Sequence, residues 1–202
     1  MEKLFRIFEI TEELAYDLAT KTIESHFHDF EELIIVTQGS MEHFIDFKME
    51  VVHAPVACYV STGKTHRLIP HQDMRGWVIN YKTELIPDSK LNFYSNFFTF
   101  TNIPLSNGLC INRFISLCQI IQAESNQQFI DHATIRHLVN GLVSMIDAER
   151  KRSLPIENIS RDSQITSFNN FLKILEENYL RNEGVSFYAD KMKMSERNLN
   201  TI

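Results

Sequence analysis

The sequence predicts an α+β chain: a β-barrel or β-sandwich first, then a helical pair, then a helix-turn-helix at the C-terminus. Three observations predict this order. Up to about residue 100 the chain is a succession of short strand-like runs broken by turn residues. From about Ser106 the apolar period lengthens from two to the helical value of about 3.6. The last eighteen residues, "VSFYADKMKMSERNLNTI", set small and apolar side chains at the offsets that two crossing helices need.

The strand-like runs are "LFRIFEI", "ELIIVTQG", "MEHFIDF", "MEVVHA", "ACYVS", "HRLIP" and "GWVINY". Several alternate apolar with polar residues, and Gly, Pro and Asp punctuate them, which indicates a sandwich or small barrel. "TEELAYDLATK", between the first two runs, reads as loop or as a short helix. Ile111, Phe114, Ile115, Cys118 and Ile121 then share one helical face. Ile135, Leu138, Val139, Leu142 and Ile146 repeat that spacing in a second helix, which ends in the basic run Arg150-Lys151-Arg152, favourable to its dipole. "SLPIENISRDSQ" has no period and reads as a linker. Ile165, Phe168, Leu172, Leu175 and Tyr179 form a third amphipathic helix, with Gly184 as its stop. The divisions are 1–104 for the β domain, 105–152 for the helical pair, 153–164 for the linker and 165–202 for the tail.

Composition narrows the function. The charged fraction of 23% and hydrophobic fraction of 44% suit a soluble globular protein. The N-terminus lacks a signal peptide's apolar segment, and no run of about eighteen apolar residues could span a membrane. Cys58, Cys110 and Cys118 form no CxxC pair and read as reduced core thiols, so the expected location is cytoplasmic. Net charge is −6, and residues 161–202 are balanced at six Lys/Arg against six Asp/Glu. The excess acidity therefore lies upstream, in a region not built to sit on a phosphate backbone.

In the tail, Tyr188, Ala189, Met192, Met194, Leu199 and Ile202 occupy the small or apolar positions of a two-helix nucleus, and Ser195 is placed to cap its second helix. Lys193 stands where simple helix-turn-helix units often carry Gly. "FYADKMKMSERNLNTI", with "FLKILEENYLRN" before it, resembles the first helix-turn-helix of AraC/XylS-type transcription regulators. The resemblance implies a cupin-like effector-binding barrel, dimerising linker helices and a DNA-binding domain with two such units. Glu196, Arg197, Asn198, Asn200 and Thr201 would then face the DNA groove. The sequence ends at Ile202, inside what would be the reading helix, so by this resemblance the chain is truncated and its DNA-binding residues inactive by themselves.

The stretch "HFHDFEELIIVTQG" supplies the candidate site. On a strand His26, His28 and Glu32 would share one face, and "STGKTH" brings His66. This set resembles the cupin metal pattern of two His two apart, a Glu four later, a Gly seven beyond and a third His on another strand. Gly39 and Gly63 fit it; Ser61, Pro70 and Thr20 depart from it. Such a set suits one divalent transition metal, Fe, Mn, Ni or Zn. The same groups can instead bind a small effector without a cofactor, as the regulator resemblance implies.

That effector pocket would be lined by His26, His28, Glu32, His66, Trp77 and Tyr81, although packing also accounts for the last two. Arg67 and Arg75 could neutralise an anionic ligand, with surface solvation as the plainer reading. His43, His53, His71, His132 and His137 lack ligand spacing and read as surface or capping residues. The second helix either packs on the barrel or forms a homodimer seam through Leu138, Leu142 and Met145. Two functions follow: a non-enzymatic effector-sensing regulator with DNA as its partner, or a metal-dependent cupin enzyme (a dioxygenase or isomerase) using His26, His28, Glu32 and His66.

Overall fold

The computed structural model describes residues 4–21, 24–45, 48–86, 102–105, 109–153 and 159–200. These fall into two compact units, one holding the described residues up to 153 and the other those from 159 onward. In the first, strands β1 (Phe5–Ile10), β7 (Arg75–Tyr81), β2 (Glu31–Gln38), β5 (Val56–Val60) and β8 (Asn102–Pro104) form one sheet in that order. Strands β4 (Lys48–His53), β3 (Ser40–Ile45) and β6 (His66–Pro70) form a second. Every strand pair is antiparallel.

The inner faces of the two sheets share a core. Ile34, Val36, Val56, Cys58 and Val78 from the larger sheet are buried with Met41 and Val52 from the smaller, and Leu68 packs against them. The sandwich expected from the sequence is present. Among the described residues no closed barrel forms, because no strand of one sheet pairs by its backbone with a strand of the other.

"TEELAYDLATK" resolves into helix α1 (Glu12–Ala19), which Thr11 caps by accepting from the Leu14 amide at 3.3 Å. Helices α2 (Leu109–Ser125) and α3 (His132–Ser153) pack on each other, α2 also on β1 and β2 and α3 on β8. They cover the outer face of the larger sheet, so the pair belongs to the same unit as the strands. Asp131 starts α3, taking the Ala133 amide at 3.0 Å and the Thr134 hydroxyl at 2.7 Å.

The α3 stripe of Ile135, Val139, Leu142 and Ile146 is fully buried within this unit. Packing within the unit uses this part of the stripe. Leu142 cannot line a dimer seam, while Leu138 and Met145 keep part of their surface.

The second unit begins earlier than the sequence suggests. Helix α4 (Ile159–Asn178) occupies much of the 153–164 stretch read as linker, and Ser153 closes α3. Phe171, Ile174 and Leu175 of α4 pack on the buried Tyr188, Ala189 and Leu199, while Phe168 and Tyr179 are exposed. The packed face is thus turned one position from the expected one. The stop also differs: Asn182, at φ 55°, takes the left-handed turn, and Gly184 instead precedes the next helix. Asn tolerates that conformation because its short amide can bond locally.

Helix α5 (Val185–Lys191) and the short α6 (Glu196–Leu199) follow, with Met192 and Met194 packing from the turn between them. Ser195 caps α6 by accepting from the Asn198 amide at 3.2 Å, as its position predicts. Among the described residues no helix is long and apolar enough to cross a membrane.

Candidate functional site

The histidines meet through tertiary pairing, not along one strand. β2 begins only at Glu31, so the expected alternation of His26, His28 and Glu32 on a single strand does not hold. Instead the His26 amide donates to the His66 carbonyl at 2.9 Å and the His66 amide to His26 at 2.8 Å. The Gly63 amide donates to the His28 carbonyl at 2.9 Å. These bonds bring the "STGKTH" turn against the start of β2. Ring centroids of His66 lie 4.6 Å from His26 and 4.9 Å from His28. Nδ1 of His66 is 3.8 Å from the Glu32 carboxylate.

A buried carboxylate clamps the same turn. Glu31 accepts from the Tyr59 hydroxyl at 2.5 Å, the Thr62 amide at 3.2 Å and the Thr62 hydroxyl at 3.0 Å. It is 2% exposed, so these bonds replace the water it gives up. Strand alternation points Glu31 away from Glu32, and one residue braces the site that the other faces.

Hydrogen bonding fixes the tautomers. Nδ1 of His28 lies 2.7 Å from the Phe30 carbonyl, which can only accept, so that nitrogen carries the proton. The His28 ring also stacks on Phe30 at 4.0 Å. Nδ1 of His26 likewise lies 3.1 Å from the Glu24 carbonyl. Nε2 of His28 is left as a buried lone pair without a hydrogen-bond partner. Nε2 of His43 and both ring nitrogens of His66 are also buried and unpartnered, one of the His66 pair carrying a proton.

Burial governs charge here. It raises the Glu32 carboxyl to about 7. It lowers the His66 imidazole to about 3, with neighbouring His28, His26 and His43 adding to the effect. His28 and His43 are also held below the ordinary range, burial being the main cause in each. Neutral His66 beside Glu32 is therefore a polar contact, not an ion pair. A set of uncharged imidazoles with directed lone pairs can receive hydrogen-bond donors or ligate a cation.

The structure separates the other expected pocket residues from this cluster. Trp77, Ile79 and Tyr81 do share a face of β7, but it is the outer one, under the helices. The Trp77 indole lies 3.4 Å from the Gln122 side chain of α2. Tyr81 pairs in register with Glu31, not with Glu32. Alternation that groups three residues cannot say which sheet face they occupy.

Conversely, His43 is not a surface residue. It is 2% exposed, its ring centroid is 6.2 Å from that of His66, and Nδ1 lies 3.1 Å from Asn102 Oδ1. Asn80 sits opposite Glu32 in register, with Oδ1 buried and without a hydrogen-bond partner. The available signal for His43 was its place between Met41 and Ile45, both buried and both apolar.

The other singled-out residues lie apart from the cluster. His71 bonds the Ser40 hydroxyl at 2.8 Å, and His53, His132 and His137 are exposed. Arg75 donates to the carbonyls of Gln72 and Met74 and pairs with Glu12 at 2.9 Å, while Arg67 lies over the Phe44 ring. In the tail, Glu196, Arg197, Asn198 and Asn200 are exposed, and Thr201 lies outside the described residues.

His28, Glu32 and His66 each offer an atom within 4.8 Å of the others, a grouping compatible with a bound metal ion. Their chemistry, two imidazoles and one carboxylate with buried unpartnered nitrogens, fits a divalent transition metal.

No family model matches the chain, and no curated protein matches its sequence. Similar solved structures include the AraC-like transcriptional activator CuxR, 11% identical over 96% of this chain and 64% of that one, with a TM-score of 0.40. They also include a cupin-2 domain protein from Shewanella frigidimarina, 15% identical over 39% of this chain and 69% of that one, with a TM-score of 0.29. A cupin 2 barrel protein from Salinispora arenicola is 19% identical over 30% of this chain, with a TM-score of 0.27. This chain spans about half, 52%, of that protein's length. The likenesses are distant and say nothing of function.

Proposed function

We propose that this chain belongs to an AraC-type transcription regulator, its sandwich binding a small effector and its tail contributing to a DNA-reading unit. The observation that carries the reading is the tail. Ala189 is 2% exposed and packs with Tyr188, Leu199, Met192 and Met194, the positions at which such a unit needs small or apolar side chains. Lys193 adopts φ 54°, the left-handed turn usually given to Gly at that position. The opposite side of α6 leaves Glu196, Arg197, Asn198 and Asn200 exposed for contact with base edges. The polar cluster between the sheets supplies an effector site made of His26, His28, Glu32 and His66. An effector regulates only if it binds one arrangement of the protein better than another.

The experiment is selection of DNA duplexes from a randomised pool by the protein as its gene encodes it. An enriched sequence, lost in Arg197→Ala, is the expected result. No enrichment overturns the reading.

A second reading is favoured by the grouping of His28, Glu32 and His66 within 4.8 Å. In it these residues hold a divalent transition metal, which would supply Lewis-acid or redox chemistry to a bound substrate. The chain's own part would be to orient the imidazoles through the Phe30 and Glu24 carbonyls. Elemental analysis separates the readings. Stoichiometric metal, lost in a His26→Ala/His28→Ala double variant, favours the enzyme.

A further inference from the structure

His43 lies outside the spacing that marks the other histidines, yet it is held more elaborately than any of them. Asn102 on β8 donates its amide N–H to the Glu50 carboxylate of β4 at 2.8 Å. That bond orients the Asn102 side chain and turns Oδ1 toward Nδ1 of His43 on β3, 3.1 Å away. An amide oxygen only accepts, so Nδ1 carries the proton and Nε2 keeps its lone pair. Three strands drawn from both sheets thus fix one imidazole, and its free nitrogen is buried without a hydrogen-bond partner.

Nε2 of His28 is left in the same state by the Phe30 carbonyl, and Asn80 Oδ1 is buried and unpartnered beside Glu32. The unpartnered atoms of His28, His43 and Asn80 are therefore all acceptors, while His66 keeps one N–H among them. Among the described residues Arg6, on this face of the larger sheet, is exposed and lies over the Phe8 ring at 5.0 Å, and Lys48, on the facing side of the smaller sheet, is exposed too. An anion placed against His28, His43 and Asn80 would meet lone pairs.

We propose that His43 is a specificity-determining residue of the pocket, held by Asn102 and Glu50 as an obligate hydrogen-bond acceptor, and that the ligand is a small molecule presenting hydroxyl or amino donors. This rests on reading the pocket as an effector site. The residues that read the ligand are then His28, His43 and Asn80, while Asn102 and Glu50 are positioning residues.

The test uses the full chain. Long-range ¹⁵N–¹H spectra of the imidazoles are expected to show His43 as its Nδ1–H tautomer, and Asn102→Leu to mix the two tautomers. Thermal shift is then read with myo-inositol, ethanolamine, succinate, inorganic phosphate and zinc ion. A response to inositol or ethanolamine, weakened about tenfold in apparent affinity by His43→Phe and less by Asn102→Leu, is the expected result. Inositol and ethanolamine distinguish hydroxyl from amino ligands. Several results overturn the inference: an Nε2–H tautomer at His43, response only to succinate or phosphate, no response to either donor probe, unchanged affinity in His43→Phe, or stoichiometric zinc bound equally by wild type and His43→Phe. If His43→Phe does not fold, Asn102→Leu carries the binding comparison. A donor ligand that binds as expected but leaves DNA selection unaltered removes the regulator reading and not this one. Selective DNA binding together with anion-only binding does the reverse.

Discussion

In the sandwich, nitrogens of His28, His43 and His66 are buried with no hydrogen-bond partner, while in the tail the buried side chains Tyr188, Ala189 and Leu199 form an apolar nucleus. The first arrangement reduces stability, since a buried polar group without a partner costs about 1–3 kcal/mol. The second adds stability, and the polar residues of its last helix stay in solvent. Where a fold tolerates unmatched polar atoms inside, the reason is sought in what they bind. Where it keeps them outside, the interior serves only to hold a surface in shape. The sandwich interior and the tail place their polar groups in these two different ways.

The largest expected effect falls in the sandwich. A Cβ on Gly76 would lie 1.9 Å from the Ile35 carbonyl oxygen, so Gly76→Ala must push β7 away from β2. We expect a loss of about 4 kcal/mol in urea unfolding, at the upper end for single substitutions. A near-wild-type midpoint would mean that the two strands are not in this register.

Ala189→Leu tests the other region. Overpacking the nucleus is expected to destabilise it by roughly 2–3 kcal/mol. Near-ultraviolet circular dichroism and tail amide protection should fall while the Trp77 fluorescence transition stays in place. A coincident shift of both transitions would show that the tail nucleus does not melt by itself.

Glu31→Gln removes the charge from a carboxylate that accepts three hydrogen bonds. We expect a loss of about 2 kcal/mol, together with chemical-shift changes at His66, since Thr62 belongs to the turn preceding it. Unperturbed His66 resonances would show that the clamp does not position the site.

His66→Leu sharpens the contrast by going the other way. Both ring nitrogens of His66 lack a hydrogen-bond partner, so an apolar side chain of similar size should raise stability by about 1 kcal/mol in urea unfolding. A destabilised variant would mean that the imidazole contributes to the fold.

The smallest effect is expected at Lys193. Its φ of 54° is costly for a residue with a Cβ, and Lys193→Gly should stabilise the tail by about 0.5–1 kcal/mol in thermal unfolding. A decrease would place more weight on the Lys193 side chain than on its backbone.

The strands, the helices after Ser106 and the Ser195 cap were legible because each is written in local periodicity or in one residue beside its own backbone. The same kind of signal marked His26, His28, Glu32 and His66 as a set, through spacing alone. Local signals had limits. The α4 face came out one position off because period fixes a stripe's width better than its centre, and Asn182 took the turn expected near Gly184.

What only the tertiary structure decided is which face of each element looks inward, and at what. The larger sheet is covered by a second sheet on one side and by helices on the other, so both faces are apolar and alternation cannot distinguish them. That is why Trp77 and Tyr81 lie away from the histidine cluster and His43 lies beside it. The Glu50–Asn102–His43 chain joins two neighbouring strands to a third that lies 52 and 59 residues further along the sequence. A sequence fixes the short-range rules by which each segment folds; a site is made where segments far apart meet, and that meeting depends on the packing of all of them at once.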